Sequence, residues 1–312
     1  MPRGTKNARL LAEKMKMNQL MLRIFVLGCF LLGGTGATAQ LFGDESDGAD
    51  RIRLSGQLPT LTQQVAAASC SLTSGVDVEE AREILEHATL EFDRYLFALR
   101  HGDEELHILR PEERRRTLED IDHVEAEWQA IHGAIDSVLA DGHDVDSAHV
   151  IDDHNLELLK LTSILASDIA GQYAHPFEIS TADLQSIELA GRQRMLTQKM
   201  AKDACEIWTD YRAEEGRADL RETMVIFENS LTALRFGYSD AGISEAPNDT
   251  IRTDLDVLLE RWGIIKVNLQ TLVDGGELNE EQKYEVFHDL EVELVDLDHL
   301  IEDYKEYAER AH

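Results

Sequence analysis

Apolar residues recur at steps of three and four along most of the chain, which is the spacing that places them on one face of an α-helix. Two distant runs show it most clearly: Ile121, Val124, Trp128, Ile131 and Ile135, then Leu255, Leu258, Leu259, Trp262 and Ile265. No convincing alternation of apolar and polar residues, the pattern of a half-buried strand, accompanies them. The pattern therefore predicts an all-α protein.

The hydrophobic pattern repeats when the chain is displaced by 135 residues. One stretch then matches without a gap: Ile52, Leu54, Gly56, Leu61, Thr62, Gln63, Ala66 and Cys70 fall on Ile187, Leu189, Gly191, Leu196, Thr197, Gln198, Ala201 and Cys205. After one deletion, a displacement of 134 places Trp128 on Trp262 and His154 on His288. The sequence predicts a tandem duplication, with copy one over residues 46–176 and copy two over residues 177–312.

Glycine and proline mark three interruptions of the helical pattern in each copy. They lie near residues 74–75, 102–111 and 141–142 in copy one, and near residues 216, 237–247 and 275–276 in copy two. Four helices joined by short loops are typical of an up-down-up-down bundle. We therefore expect two tandem four-helix bundles whose first helices run parallel, joined by a short segment that contains Pro176.

The N-terminus has the pattern of a secretory signal peptide. Six basic residues precede or adjoin an apolar run at 24–32, and small residues lead to an Ala-Thr-Ala cleavage site at 37–39. We expect residues 1–39 to be removed and the mature protein to be periplasmic. The alternatives are an uncleaved membrane anchor and lipid attachment at Cys29.

The composition excludes several classes of protein. With 43% hydrophobic residues and only 5 prolines among 312 residues, the chain is a folded protein. Its 61 acidic and 30 basic residues give a formal charge of -31, which becomes -36 without residues 1–39. Such a chain has no basic surface to neutralise phosphates, so neither nucleic acid nor an anionic membrane surface is expected as a partner.

Two cysteines, Cys70 and Cys205, remain after removal of the signal peptide and occupy matching positions of the two copies. In an oxidising compartment such a pair predicts one disulfide bridge. The bridge would require the two first helices to meet at these positions. The alternatives are two buried free thiols and a redox-sensing pair.

Motifs of catalysis and metal binding are not found. His143, His149 and His154 lack the spacing of a usual ligand set, and residues 141–153 lack the glycine and closing glutamate of a calcium loop. No nucleophile motif or phosphate-binding loop occurs. We therefore expect no enzyme, no metal and no cofactor, and we assign His154 and His288 to the repeated packing pattern.

The most distinctive segment covers residues 189–201 and reads Leu-Ala-Gly-Arg-Gln-Arg-Met-Leu-Thr-Gln-Lys-Met-Ala. It resembles the signature of the N-terminal domain of type IV pili methyl-accepting chemotaxis transducers, the PilJ or NarX-like sensor family. The resemblance implies a periplasmic four-helix bundle with this segment on its first helix. It also implies binding of nitrate or nitrite at a dimer interface through a signature arginine, here Arg194.

The residues around Arg194 suit such a ligand. A guanidinium presents a planar fork of donors that matches a planar oxyanion. Gly191, one turn earlier, would allow a partner helix to approach, Gln198, one turn later, would add an amide donor, and Arg192 and Lys199 complete the candidate ligand-binding set. The alternative is that Arg192, Arg194 and Lys199 form a solvated basic face.

Copy one has Pro59 at the position of Arg194, so two arrangements stay open: a single-arginine site inside one chain, with Arg194 near Gln57 and Thr60, or a two-arginine site in a homodimer. The expected function is that of an exported sensor of a small oxyanion that acts on a periplasmic or membrane protein partner. The alternative is a structural or interaction module of helical bundles, associated with pilus or chemosensory machinery.

Overall fold

The computed structural model describes residues 47–173 and 180–311. The expected signal peptide, the lipid-attachment candidate Cys29 and the centre of the linker between the copies lie outside the described residues. The exact domain limits, 46–176 and 177–312, stay a prediction because residues beside both limits also lie outside them.

Each copy forms four α-helices. Copy one contains α1 (Gly48–Ser74), α2 (Val78–His101), α3 (Arg115–Ala140) and α4 (Val145–Tyr173). Copy two contains α5 (Thr181–Trp208), α6 (Ala213–Phe236), α7 (Asp249–Val273) and α8 (Glu280–Ala311). Short 3-10 turns follow α2 and α6, and isolated bridges are the only strand-like pairing in the described chain. The prediction of an all-α protein is confirmed.

The helices of each copy pack as a four-helix bundle. In copy one, α1 contacts α2 and α4, and α3 contacts α4; in copy two, α5 contacts α6 and α8, and α7 contacts both α6 and α8. An aromatic pair recurs in the two cores, since the rings of Phe92 and Trp128 stack 4.0 Å apart and those of Phe227 and Trp262 lie 4.9 Å apart. The duplicated hydrophobic pattern thus produces two tandem bundles of the same design.

Glycine ends α2 and α6 at matching positions. Gly102 and Gly237 have positive φ angles of 86° and 81°, which glycine adopts without a steric penalty. A Cβ at Gly237 would also lie 3.0 Å from the backbone nitrogen of Glu245. The chain therefore needs glycine where it turns back beside the helix it has just completed.

The interruption expected near Gly216 is wrong. The turn between α5 and α6 lies earlier, around Asp210 and Arg212, which both have positive φ angles, and Gly216 is inside the first turns of α6. A Cβ at Gly216 would lie 3.1 Å from the carbonyl oxygen of Asp203. The glycine serves a close approach of α6 to α5 rather than a break in the helix.

Arg51 is a buried charge that only copy one contains. Its side chain is 2% exposed and donates to the carbonyl oxygens of Leu99 and Arg110. It also forms ion pairs with Asp47 at 3.4 Å and Glu112 at 3.7 Å. These contacts tie the start of α1 to the loop before α3, whereas copy two has Ser186 at the equivalent position.

The first helices of the two bundles, α1 and α5, pack against each other. We call the whole contact between the two bundles, with α1 and α5 at its centre, the seam. The predicted disulfide is confirmed, because Cys70 and Cys205 are bonded across the seam with their Cα atoms 6.2 Å apart. Two turns earlier, Gln64 of α1 donates to Glu291 of α8, beside Gln198 of α5. Gln64 lies near Gln198 and Cys70 is bonded to Cys205, so residues of the two helices meet in the same order and α1 and α5 run parallel.

No helix in the described ranges combines the length and the apolar character that a membrane crossing demands.

The disulfide closes a loop with a sequence separation of 135 residues, so its loss is expected to lower the free energy of unfolding by about 5 kcal/mol in the chain-entropy model. Denaturant unfolding of the protein and of a Cys70→Ser, Cys205→Ser double variant, each with and without reductant, measures this. Reductant should weaken the parent and leave the double variant unchanged. Equal stability of parent and double variant would contradict the expectation.

Candidate ligand-binding site

The signature segment 189–201 lies in the middle of α5 and directs its polar side chains to different surroundings. Arg192 is exposed, whereas Gln193, Thr197 and Gln198 are buried. Apart from the neighbouring backbone of α5 itself, no atom of the described chain lies within 4 Å of a Cβ built on Gly191. Gly191 is therefore not used for close helix packing within this chain.

Arg194 points toward α8 of its own bundle. One guanidinium nitrogen, Nη1, donates to Asp298 Oδ1 at 2.6 Å, and the arginine side chain is 12% exposed while the aspartate side chain is 51% exposed. The Nε atom of Arg194 is buried and has no hydrogen-bond partner in the described residues. The guanidinium is therefore paired with one half-exposed carboxylate, and its Nε keeps an unused donor.

Lys199 points to another side of α5. Its ammonium contacts Asp203 at 2.7 Å and Asp219 of α6 at 3.4 Å. The predicted site residues therefore do not converge on one point: Lys199 faces α6, Arg192 faces solvent, and Arg194 and Gln198 lie on the side of α8.

Gln198 and Glu291 form the centre of a polar group on the seam. Gln198 is fully buried, and neither polar atom of its amide has a hydrogen-bond partner of good geometry in the described chain. Glu291 accepts a hydrogen bond from Gln64 at 3.1 Å, while its Oε1 has no partner. Burial raises the pKa of Glu291 to about 7, although the nearby amides of Gln198 and Gln64 act to lower it. This carboxyl changes its charge near neutral pH.

In copy one, the glutamine equivalent to Gln198 has a hydrogen-bond partner. Gln63 falls on Gln198, and its amide donates to Asn155 at 2.8 Å; the Asn155 amide in turn donates to the carbonyl oxygen of Thr62 at 2.9 Å. Copy two has Asp289 where copy one has Asn155. Together with Pro59 in place of Arg194, this leaves copy two as the bundle with available donors.

A second polar group lies near the disulfide. The ammonium of Lys202 contacts Glu206 at 2.7 Å, Asp203 at 3.0 Å and Asp152 of α4 at 3.6 Å. Burial raises the pKa of Glu206 to about 8, against the lowering effect of Lys202. Burial also acts to lower the pKa of Lys202, but the three carboxyl groups outweigh it and keep the ammonium charged. Asp152, Lys202 and Glu206 line a cavity of about 360 Å³ between the bundles.

Sequence reasoning missed Asp298, Glu291 and the partners of Lys202. Glu291 does recur between the copies, at the position of Glu157, but nothing in that repeat shows that its carboxyl is buried. Lys202 and Glu206 have the i, i+4 spacing of a helical ion pair, a signal that could have singled out this part of α5.

Glu291 should make stability depend on pH. Since its pKa is raised to about 7 in the folded protein, the folded state keeps a proton that the unfolded chain releases at lower pH. The free energy of unfolding should therefore fall as the pH rises through the window from about 4.5 to 7, by up to about 3 kcal/mol from this group. Glu291→Gln should reduce the slope, and Glu157→Gln at the exposed repeat position should not. Denaturant unfolding at pH 5 and pH 8 measures this change in the free energy of unfolding. The same pH dependence in Glu291→Gln as in the parent would refute the prediction.

Comparison with known proteins supports the resemblance of the signature segment. The family model PilJ, described as the N-terminal domain of type IV pili methyl-accepting chemotaxis transducers, matches residues 44–154 and 177–287. No curated protein matches the chain. One matched segment lies in each copy and ends within the fourth helix of that copy, and the two segments together cover more than half of the sequence. The chain therefore belongs to the PilJ family of transducer sensory domains and carries two tandem copies of the domain.

Proposed function

We propose that this protein is an exported, periplasmic sensor that binds a small oxyanion, nitrate or nitrite, at Arg194 of α5 and presents its bound state to a periplasmic or membrane protein partner. The observation that carries the proposal is the contact between Arg194 and Asp298. It is an internal carboxylate–guanidinium pair of the same chemistry as the proposed complex.

The geometry around Arg194 favours an exchange of anions. A guanidinium offers five N–H donors in one plane, and Asp298 engages one of its nitrogens. Asp298 is half exposed and can turn into solvent, while Arg194 is held between α5 and α8. A nitrate or nitrite ion would then take over the freed donors, with Gln198 one turn further along the helix.

The exchange also provides a physical route for a signal. Asp298 belongs to α8, so its release removes a contact between α5 and α8 while the ligand stays on α5. A ligand shifts a conformational equilibrium only through such a difference in contacts between the two states. The relative placement of α5 and α8 is thus the property that a partner would recognise.

The proposed site uses one arginine of one chain. Two features argue against copy one as a second contributor: Pro59 has no side-chain donor, and the amide of Gln63 is already bonded to Asn155. A two-arginine site would instead require two molecules to pair through copy two, and it would bind one anion for every two chains.

Calorimetric titration of the purified protein with nitrate and nitrite, with acetate for comparison, tests the proposal. We expect saturable binding that Arg194→Ala abolishes. Asp298→Asn should tighten binding roughly two- to fivefold, because it removes a competing exposed ion pair. Arg192→Ala, an exposed arginine of the same helix, should bind as the parent does. Equal binding by Arg194→Ala, or no binding of any anion, would refute the anion site.

An interaction module is the second candidate function. It is favoured by the exposed position of Arg192 on the signature helix and by the fact that the guanidinium of Arg194 already has an internal partner. In this case the titrations would give no anion binding, and Arg192→Ala would weaken association with the chemosensory or pilus partner.

A further inference from the structure

Three side chains that are typical metal ligands meet where the two bundles touch. Asp77 lies in the turn between α1 and α2, Glu80 lies in the first turn of α2, and His288 belongs to α8 of the other bundle. His288 Nδ1 lies 3.1 Å from Glu80 Oε2, and one ligand atom from each of the three residues lies within 4.8 Å of the other two. All three residues are partly buried. The cluster therefore joins residues of both bundles in one small polar space.

The internal repeat provides a comparison for this cluster. Asp77 corresponds to Arg212 in the turn between α5 and α6, and both residues have a positive φ, 45° and 53°. Arg212 contacts Asp152 at 3.1 Å and Asp153 at 3.6 Å, two carboxylates of α4 across the seam. In one half of the seam, the guanidinium of Arg212 therefore faces carboxylates. In the other half, the carboxylate of Asp77 occupies the same backbone position.

The charged partners of Asp77 and Glu80 differ from those of Arg212. Within residues 47–173 and 180–311, the ion pairs of Asp77 and Glu80 include no lysine or arginine, and Glu80 pairs with the imidazole of His288. Two carboxylates as close as those of Asp77 and Glu80 repel each other unless one of them takes up a proton or a cation lies between them. The formal charge of -31 also raises the concentration of cations around the protein.

We propose that Asp77, Glu80 and His288 bind a divalent transition-metal ion of the zinc class, which supplies the charge that Arg212 supplies in the other half of the seam. One imidazole and two carboxylates are a ligand set that suits zinc, whereas Ca²⁺ and Mg²⁺ prefer oxygen alone. Zinc bonds of about 2.0–2.2 Å place the ligand atoms of a tetrahedral site about 3.3 Å apart. The side chains need to move by about 1 Å, and the fourth position stays open to water.

The metal would link α2 of one bundle to α8 of the other. It would replace the hydrogen bond between His288 and Glu80 and form a second connection across the seam besides the disulfide. The site is independent of Arg194, so it does not depend on the proposed anion binding.

Calorimetric titration of the metal-free full chain with Zn²⁺ at pH 7.5 tests the inference, with Ca²⁺ as the comparison ion. We expect one Zn²⁺ per chain and an increase of the unfolding temperature on binding. His288→Ala should weaken Zn²⁺ binding by more than the roughly 10- to 100-fold that loss of an outer-shell partner causes. His154→Ala, which changes the repeat-equivalent histidine bonded to Glu127 of its own bundle, should bind Zn²⁺ as the parent does.

A second variant distinguishes a loss of Zn²⁺ binding from a loss of folding. Asp77→Arg introduces the residue that copy two has at this backbone position, so it should keep the unfolding temperature of the metal-free protein and lose Zn²⁺ binding. Circular dichroism of each variant verifies the helical fold. Equal Zn²⁺ affinity in the parent and in either His288→Ala or Asp77→Arg would overturn the inference, as would the absence of Zn²⁺ binding by the parent.

Discussion

The contact between α1 and α5, fixed by the bond between Cys70 and Cys205, is the constraint on which the arrangement of this protein depends. Equivalent residues of two copies can be bonded only where the pseudo-twofold axis relating the copies passes between them. Once α1 and α5 are parallel and in register, Gln64 reaches Glu291, Lys202 reaches Asp152, and His288 reaches Glu80. These three polar contacts between the bundles follow from that one pairing of helices.

The seam buries several polar and charged groups. Buried charges are tolerated only when they are paired or neutralised by a proton. Lys202 is surrounded by three carboxyl groups, whereas Glu206 and Glu291 have pKa values of about 8 and about 7 because burial disfavours their charged forms. The protonation of these two carboxyl groups therefore couples the contact between the bundles to pH.

The two copies have diverged in their polar residues while keeping the same cores. Copy one has structural bonds at positions that copy two leaves open, as Gln63 with Asn155 compared with Gln198 shows. The repeated histidines follow the same rule. His154 bonds Glu127 in its own bundle, but copy two has Arg261 at the position of Glu127, and His288 turns to Glu80 of the other bundle. Packing was conserved by the duplication, and the charged contacts were reassigned.

The sequence alone determined the all-α class, the eight helices in two tandem bundles, the pairing of Cys70 with Cys205, and the place of Arg194 on the first helix of copy two. It was wrong about Gly216, because a glycine inside a helix and a glycine in a turn look alike until the neighbouring backbone is known. Only the tertiary structure decided that Arg194 meets Asp298 and that Asp77 and Glu80 meet His288, more than 200 residues away. Helical periodicity specifies which face of a helix is buried, but the partner of each polar side chain depends on which helix lies opposite and at what level.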